Sequence, residues 1–176
     1  MTSGTRMSFT TERVSFTSQR PFDDVVEGIY QGIGRPDLEG FLADLAATKN
    51  YDEYRAIVRK AVGPSDLMRF LQLDDEPALA INPDIEAFRL IRIIAGNPLT
   101  MSEMTRYVPD AGTYAPVTIL AYQARDGVHV SYDTVVSALG PYGDERALRV
   151  AEDLDRKVLT LLDAATSGGR LAGPAL

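Results

Sequence analysis

The sequence predicts an α+β domain in which an antiparallel sheet is covered on one face by helices. Three observations carry that expectation. An alternating segment opens the chain, amphipathic helical stretches follow it, and β-rich runs around a hairpin turn precede a last long amphipathic helix.

The elements come in this order. "RVSFTS" alternates Val14 and Phe16 with polar neighbours and predicts a half-buried strand at 13–17. "PFDDVVEGIYQGIG" opens with Pro21 and repeats Phe22, Val25, Val26, Ile29 and Ile33 at helical spacing, until Gly34 and Pro36 end it. Two further amphipathic stretches follow, "DLEGFLADLAA" and "YDEYRAIVRKAVG", the second with Asn50 as N-cap and Gly63-Pro64 as stop. A fourth short helix is expected from Ser65, so that 37–70 forms an extra helical segment after the first helix. "PALAINPD" and "AFRLIRIIAGNP" are rich in branched apolar residues and predict strands at 78–82 and 88–95. "LTMSEMTRYV" predicts a short helix. "VTILAYQARDGVHVSYDT" predicts two strands, 116–123 and 128–133, on either side of the turn-forming pair Asp126-Gly127. The 144–165 helix puts Leu148, Ala151, Leu154, Val158, Leu161, Leu162 and Ala165 on one stripe, which needs a sheet to lie on.

A chain of 176 residues suits one domain with its own core. Residues 11–166 are expected to form it, with 1–10 a flexible N-terminus, 167–176 a disordered tail and Met7 an alternative start. The 18 basic and 25 acidic residues give a net charge of −7 and a pI near 4.7, which argues against nucleic-acid partners. The chain has no cysteine, which removes disulfides, thiolate metal sites and cysteine nucleophiles and suits the cytoplasm. No signal-peptide pattern and no apolar run of membrane-spanning length is present, so no membrane association is expected.

His129, the sole histidine, shares a strand face with Ser131 and Asp133 if the hairpin loop holds an even number of residues, and then lies across from Tyr122 and Leu120. An i, i+4 pair on a strand is ~13 Å apart, too far for a His129–Asp133 dyad. The acidic run Asp74, Asp75, Glu76, Asp84 and Glu86 lacks the oxygen spacing of a calcium loop, so no metal or other cofactor is expected. "GIYQGIGRP" carries Gly28, Gly32 and Gly34 but has Asp37 where a dinucleotide fingerprint needs glycine, and it follows a helix rather than a strand. Close helix packing at Gly28 and Gly32, and helix exit at Gly34, account for these glycines.

The stretch Gly96–Thr134 holds Gly96-Asn97-Pro98, Met104, Tyr114-Ala115-Pro116 and Tyr132-Asp133 in that order, and Leu154-Asp155 stands in the last helix. In these elements it resembles the family catalogued as domain of unknown function 302. It departs from the pattern at Thr134, Val135 and Val136, where Pro-Ser is common after Tyr-Asp, and at Val117 and Thr118, where a basic residue is common. The resemblance implies a TATA-binding-protein-like fold, one helix across a curved antiparallel sheet. It implies no reaction.

Strand ends and turns then supply the candidate site. Asn97 closes one strand, Tyr114 opens the next, and Tyr132 with Asp133 ends the strand after the hairpin, so these four are expected at one end of the sheet as the wall of a ligand pocket. The expected function is a non-catalytic domain that binds a small molecule or a partner. The alternative is an enzyme using Asp133, Tyr132 and His129. An exposed sheet face or edge invites self-association, so a homodimer is expected.

Overall fold

The computed structural model describes residues 4–169 and Leu171. Its strands are β1 (Arg13–Ser18), β2 (Met68–Asp74), β3 (Leu90–Gly96), β4 (Val117–Ala124) and β5 (Gly127–Asp133). They form one antiparallel sheet in the order β1-β5-β4-β3-β2. The helices are α1 (Phe22–Gly32), α2 (Leu38–Ala46), α3 (Tyr51–Ala61), α4 (Glu76–Ile81), α5 (Pro98–Thr105), α6 (Val135–Leu139) and α7 (Glu145–Ser167).

Alternation decides which side of the sheet is buried. Ile91, Ile93 and Ala95 of β3, Val117, Ile119 and Ala121 of β4, and Val128, Val130 and Tyr132 of β5 share one face. Against it lie Val25, Val26 and Ile29 of α1 and the Leu154, Val158, Leu161 and Leu162 stripe of α7. Each fully buried Leu or Ile contributes roughly 1.5–3 kcal/mol. Helices α1 and α7 approach closely at glycine: a Cβ on Gly28 would sit 3.2 Å from Ala165 Cβ, and one on Gly32 would sit 2.2 Å from Leu161 Cδ1. The helix-packing account of these glycines therefore holds.

The outer face of the sheet carries the other half of the alternation. Register places Ser15, Ser131, Leu120, Arg92 and Leu73 in one row across the five strands. Thr17, His129, Tyr122 and Leu90 form the next. At the β2 end a second apolar cluster, Phe41, Val58 and Met68, ties α2 and α3 to the sheet. Asn50 caps α3 as expected, its side chain accepting from the Glu53 N–H at 2.9 Å.

Four expectations need correction. A strand, β2, occupies 68–74, the first part of which falls in the 37–70 segment expected to be helical. Its Leu, Met and Gln favour helix in isolation, and the bulge between Arg69 and Leu71 breaks the period-2 signal, so pairing with β3 decides the conformation. The 78–82 strand is instead helix α4, since Pro77 in the first turn and the alanines after it favour helix. The hairpin turn consists of Arg125 and Asp126, because Ala124 pairs with Gly127. Gly127 opens β5 at φ 139°, and a Cβ there would meet the Ser18 carbonyl oxygen at 2.6 Å. Helix α7 runs through Ser167, one residue into the expected tail, and Leu171 packs on the core. Residues 1–3, 170 and 172–176, which belong to the two expected terminal segments, lie outside the described residues. Among the described residues no helix is long and apolar enough to cross a membrane.

Candidate functional site

Asp133 ends β5 and Arg13 begins β1, and antiparallel pairing sets them directly opposite. Their side chains form a fork: Arg13 Nε donates to Oδ1 at 2.6 Å and Nη2 to Oδ2 at 2.8 Å. The hydrogen bond and charge of the guanidinium hold the Asp133 carboxyl below the usual carboxylate range. Beside this pair lies a cavity of about 380 Å³, bordered by Thr118 and Leu120 of β4, Ser131 of β5 and Arg92 of β3. Tyr114 borders it too, and the Phe9 ring meets Tyr114 edge-on with centroids 6.0 Å apart. Arg92 Nε donates to Asp75 Oδ2 at 2.8 Å. The charges of the wall are therefore neutralised in pairs. What the wall offers a ligand includes the hydroxyls of Thr118 and Ser131 and the apolar surfaces of Leu120 and Pro116.

Asp133→Asn is expected to cost less than ~1 kcal/mol at neutral pH, because the pair is solvent-exposed and screened. The sign follows from the lowered carboxyl: the pair stabilises above the unfolded value near pH ~3.9 and is lost as pH falls through the folded one. Thermal melts of wild type and variant should therefore differ slightly at pH 7 and converge in acid. A gap that widens in acid would contradict the assignment.

Tyr132 borders the same cavity, but alternation turns its side chain to the inner face. Its hydroxyl donates to Asp155 Oδ1 at 2.5 Å, and the same carboxylate accepts the N–H groups of Val135 at 2.9 Å and Val136 at 3.0 Å. Those are the first donors of α6, whose N-cap Thr134 makes no side-chain cap. Asp155 of α7 thus caps α6 from a distant helix. Burial raises the Asp155 carboxyl above its ordinary value against the pull of these hydrogen bonds. Burial beside this acid also drives the Tyr132 hydroxyl far up.

The other two candidates lie elsewhere. His129 stacks on Tyr122, with centroids 5.1 Å apart and planes 10° apart. Its Nε2 is 2.8 Å from Asp126 Oδ1 and its Nδ1 is 3.3 Å from Thr17 Oγ1. The even loop places it across from Tyr122, as alternation required. Asn97 caps α5 by accepting the Leu99 N–H at 2.9 Å, and its Nδ2 holds Asp66 through the backbone oxygen and Oδ1, both at 3.0 Å. It borders a separate groove of about 800 Å³ among α3, α5 and α7. Of the four expected together, Tyr114, Tyr132 and Asp133 border one cavity, Tyr132 with its side chain turned to the inner face, and Asn97 is excluded from it because its side chain is turned to Asp66.

Arg13 and Arg92 went unremarked in the sequence, and Thr118 and Ser131 were noted for other reasons than a site. Period-2 alternation puts each on the outer face, but their convergence depends on which strands are neighbours. The role of Asp155 had a sequence signal, since Leu154-Asp155 belongs to the family pattern together with Tyr132.

No curated protein matches the chain. The crystal structure of an uncharacterized conserved DUF302 protein from Bacillus stearothermophilus matches with a TM-score of 0.60 at 10% identity, over 87% of this chain and 97% of that one. This likeness shows the α+β fold. The model of the family described as Domain of unknown function DUF302 matches residues 44–165, which takes in the Asn97 cap, the Tyr114–Pro116 entry to β4 and the Tyr132–Asp155 bond: the chain belongs to the DUF302 family.

Proposed function

We propose that the chain is a non-catalytic binding domain whose ligand, a small neutral molecule with hydrogen-bonding groups, occupies the outer-face cavity between Thr118, Ser131 and Tyr114. The observation that carries this reading is the pairing of every charge named in the wall, Arg13 with Asp133 and Arg92 with Asp75. A site of this kind selects by shape and hydroxyl contacts rather than by charge. The same pairing weighs against the enzymatic alternative. Asp133 is held ionised in its fork, the Tyr132 hydroxyl is bound to Asp155, and His129 does not border the cavity. None of the three presents a free acid or base to a bound molecule.

Thr118 is exposed at the cavity wall, so Thr118→Trp should fill the cavity while changing stability within ±0.5 kcal/mol. Ligand-observed NMR with a library of neutral polyhydroxy and amide fragments is expected to give hits with wild type that vanish with the variant. Hits retained by Thr118→Trp would remove the cavity as the site. The proposal includes a homodimer, supported by the exposed apolar side chains Leu71, Ile81 and Phe88. Sedimentation velocity at rising concentration should show a second, heavier species, and a strict monomer would refute this half.

A further inference from the structure

We infer that the groove among α3, α5 and α7 is a second binding site, selective for an oxyanion such as the phosphate of a small phosphate ester. It is independent of the outer-face cavity. The inference starts at Thr100, the third residue of α5. It is 9% exposed, yet among the described residues its N–H has no acceptor: Asn97 takes the Leu99 and Met101 N–H groups and leaves that of Thr100 free. Among the described residues its hydroxyl has no partner either. Every fully enclosed side-chain oxygen among the described residues has a partner, so the unpartnered Thr100 oxygen keeps an opening, and the groove is the cavity that Thr100 borders. A buried residue thus presents two donors, an N–H and an O–H, where the N-terminal dipole of an eight-residue helix favours negative charge.

Charge bookkeeping around the groove agrees. Arg59 from the last turn of α3 and Arg149 from α7 both border it. Among the described residues Arg59 has no carboxylate within ion-pair distance, and Arg149 has only an exposed contact to Glu145 at 3.9 Å. The acids of the groove are already engaged. Asp66 is 2.7 Å from Lys157, Asp153 is 2.8 Å from the same Lys157, and Glu103 is 3.4 Å from Arg106. In a chain of net charge −7, two arginines with little or no acid partner face one groove together with two free donors. Guanidinium groups match the planar oxygens of phosphate and carboxylate in a two-pronged geometry. The volume of about 800 Å³ exceeds what a bare anion fills, and Leu99, Tyr107 and Val150 supply apolar wall for an organic body. The Gly96-Asn97-Pro98 element then has a role beyond turn formation: it caps α5 so that the Leu99 N–H is consumed and the Thr100 N–H is presented.

The test uses the full chain at low ionic strength, titrated first with inorganic phosphate and then with phenyl phosphate, with chloride at matched ionic strength as control. Amide NMR spectra are expected to show a saturable shift of the Thr100 resonance with both phosphates and none with chloride. Arg59→Gln, Arg149→Gln and Thr100→Val should each weaken phosphate binding about tenfold, with phenyl phosphate binding wild type more tightly than inorganic phosphate. Arg59 is exposed and the Arg149 side chain is 65% exposed, so both arginine variants keep the fold, and their unchanged remaining amides verify it. A Thr100 shift that is absent, unsaturable or equal in chloride would overturn the site, as would arginine variants that bind phosphate like wild type. Equal affinity for the two phosphates would overturn the claim of room for an organic body.

Discussion

Asp155→Ala is expected to destabilise the protein by roughly 3 kcal/mol, which for a chain of this size lowers the melting temperature by about 10 °C. Asp155 is 6% exposed, and its carboxylate holds three donors, the Tyr132 hydroxyl and the Val135 and Val136 N–H groups. Alanine strands all three away from water, and each orphaned donor costs roughly 1–3 kcal/mol, offset in part by relief of the buried charge. Tyr132→Phe alone should cost about 1 kcal/mol. In the Asp155→Ala background the same change should be neutral or stabilising, because it removes a hydroxyl that has lost its acceptor; the double-mutant cycle measures that coupling. The pH dependence has a defined sign. The folded carboxyl lies above its unfolded value, so folding favours its protonated form, and that contribution is complete below ~3.9 and lost as pH rises through the raised value. The gap between wild type and Asp155→Ala should therefore grow as pH falls from neutral towards ~4. A gap that shrinks in acid would show that the carboxylate is not penalised by its burial.

Tyr132 shows why the site was only partly legible. Its adjacency to Asp133 suggested that the two act together, yet successive residues of a strand point to opposite faces. Asp133 reaches Arg13 on the outer face, and Tyr132 reaches Asp155, 23 residues further along the chain. The alternation was in the sequence, as was Asp155, but the bond between them depends on where α7 crosses the sheet. Arg13 was hidden for the same kind of reason. Nothing local indicates that the first strand pairs with the last, and without that neighbour Asp133 reads as an isolated turn acid.

The fold was legible wherever a segment's periodicity agreed with its tertiary role. Val128 and Val130 alternate because one face of β5 is buried, and Leu154, Val158, Leu161 and Leu162 repeat helically because α7 lies on the sheet. Legibility failed at β2, an edge strand whose burial does not alternate and whose bulge shifts the register. It failed also at α4, six residues long with none buried, where no apolar face exists to leave a period.

Gly34→Ala is expected to cost about 3 kcal/mol, at the upper end for an overpacked site, although the residue looked from the sequence like a simple helix exit. After α1 the chain runs extended through Ile33 to Gly34, which bridges to Met68. The Gly34 N–H donates to the Leu67 carbonyl and the Arg69 N–H donates to the Gly34 carbonyl, both at 2.8 Å. This fixes the backbone beside the end of α3. A Cβ on Gly34 would lie 1.8 Å from the Ala61 carbonyl oxygen, and one on Gly63 would lie 2.4 Å from the Ile33 carbonyl carbon. Both obstacles are backbone, so no side-chain rotation relieves them. Either the two hydrogen bonds at Gly34 break or α3 moves outward, loosening Val58 from Phe41 and Met68. Gly140→Ala is the matched control, since its φ of −46° and ψ of −48° are helical and a Cβ there meets nothing within 4 Å. It should stabilise by roughly 0.4–1 kcal/mol through the unfolded chain. Chemical denaturation of the two variants therefore moves in opposite directions from wild type. If Gly34→Ala unfolds at the wild-type midpoint, α3 yields without cost, and the cluster of Phe41, Val58 and Met68 contributes little to holding the helical segment against β2.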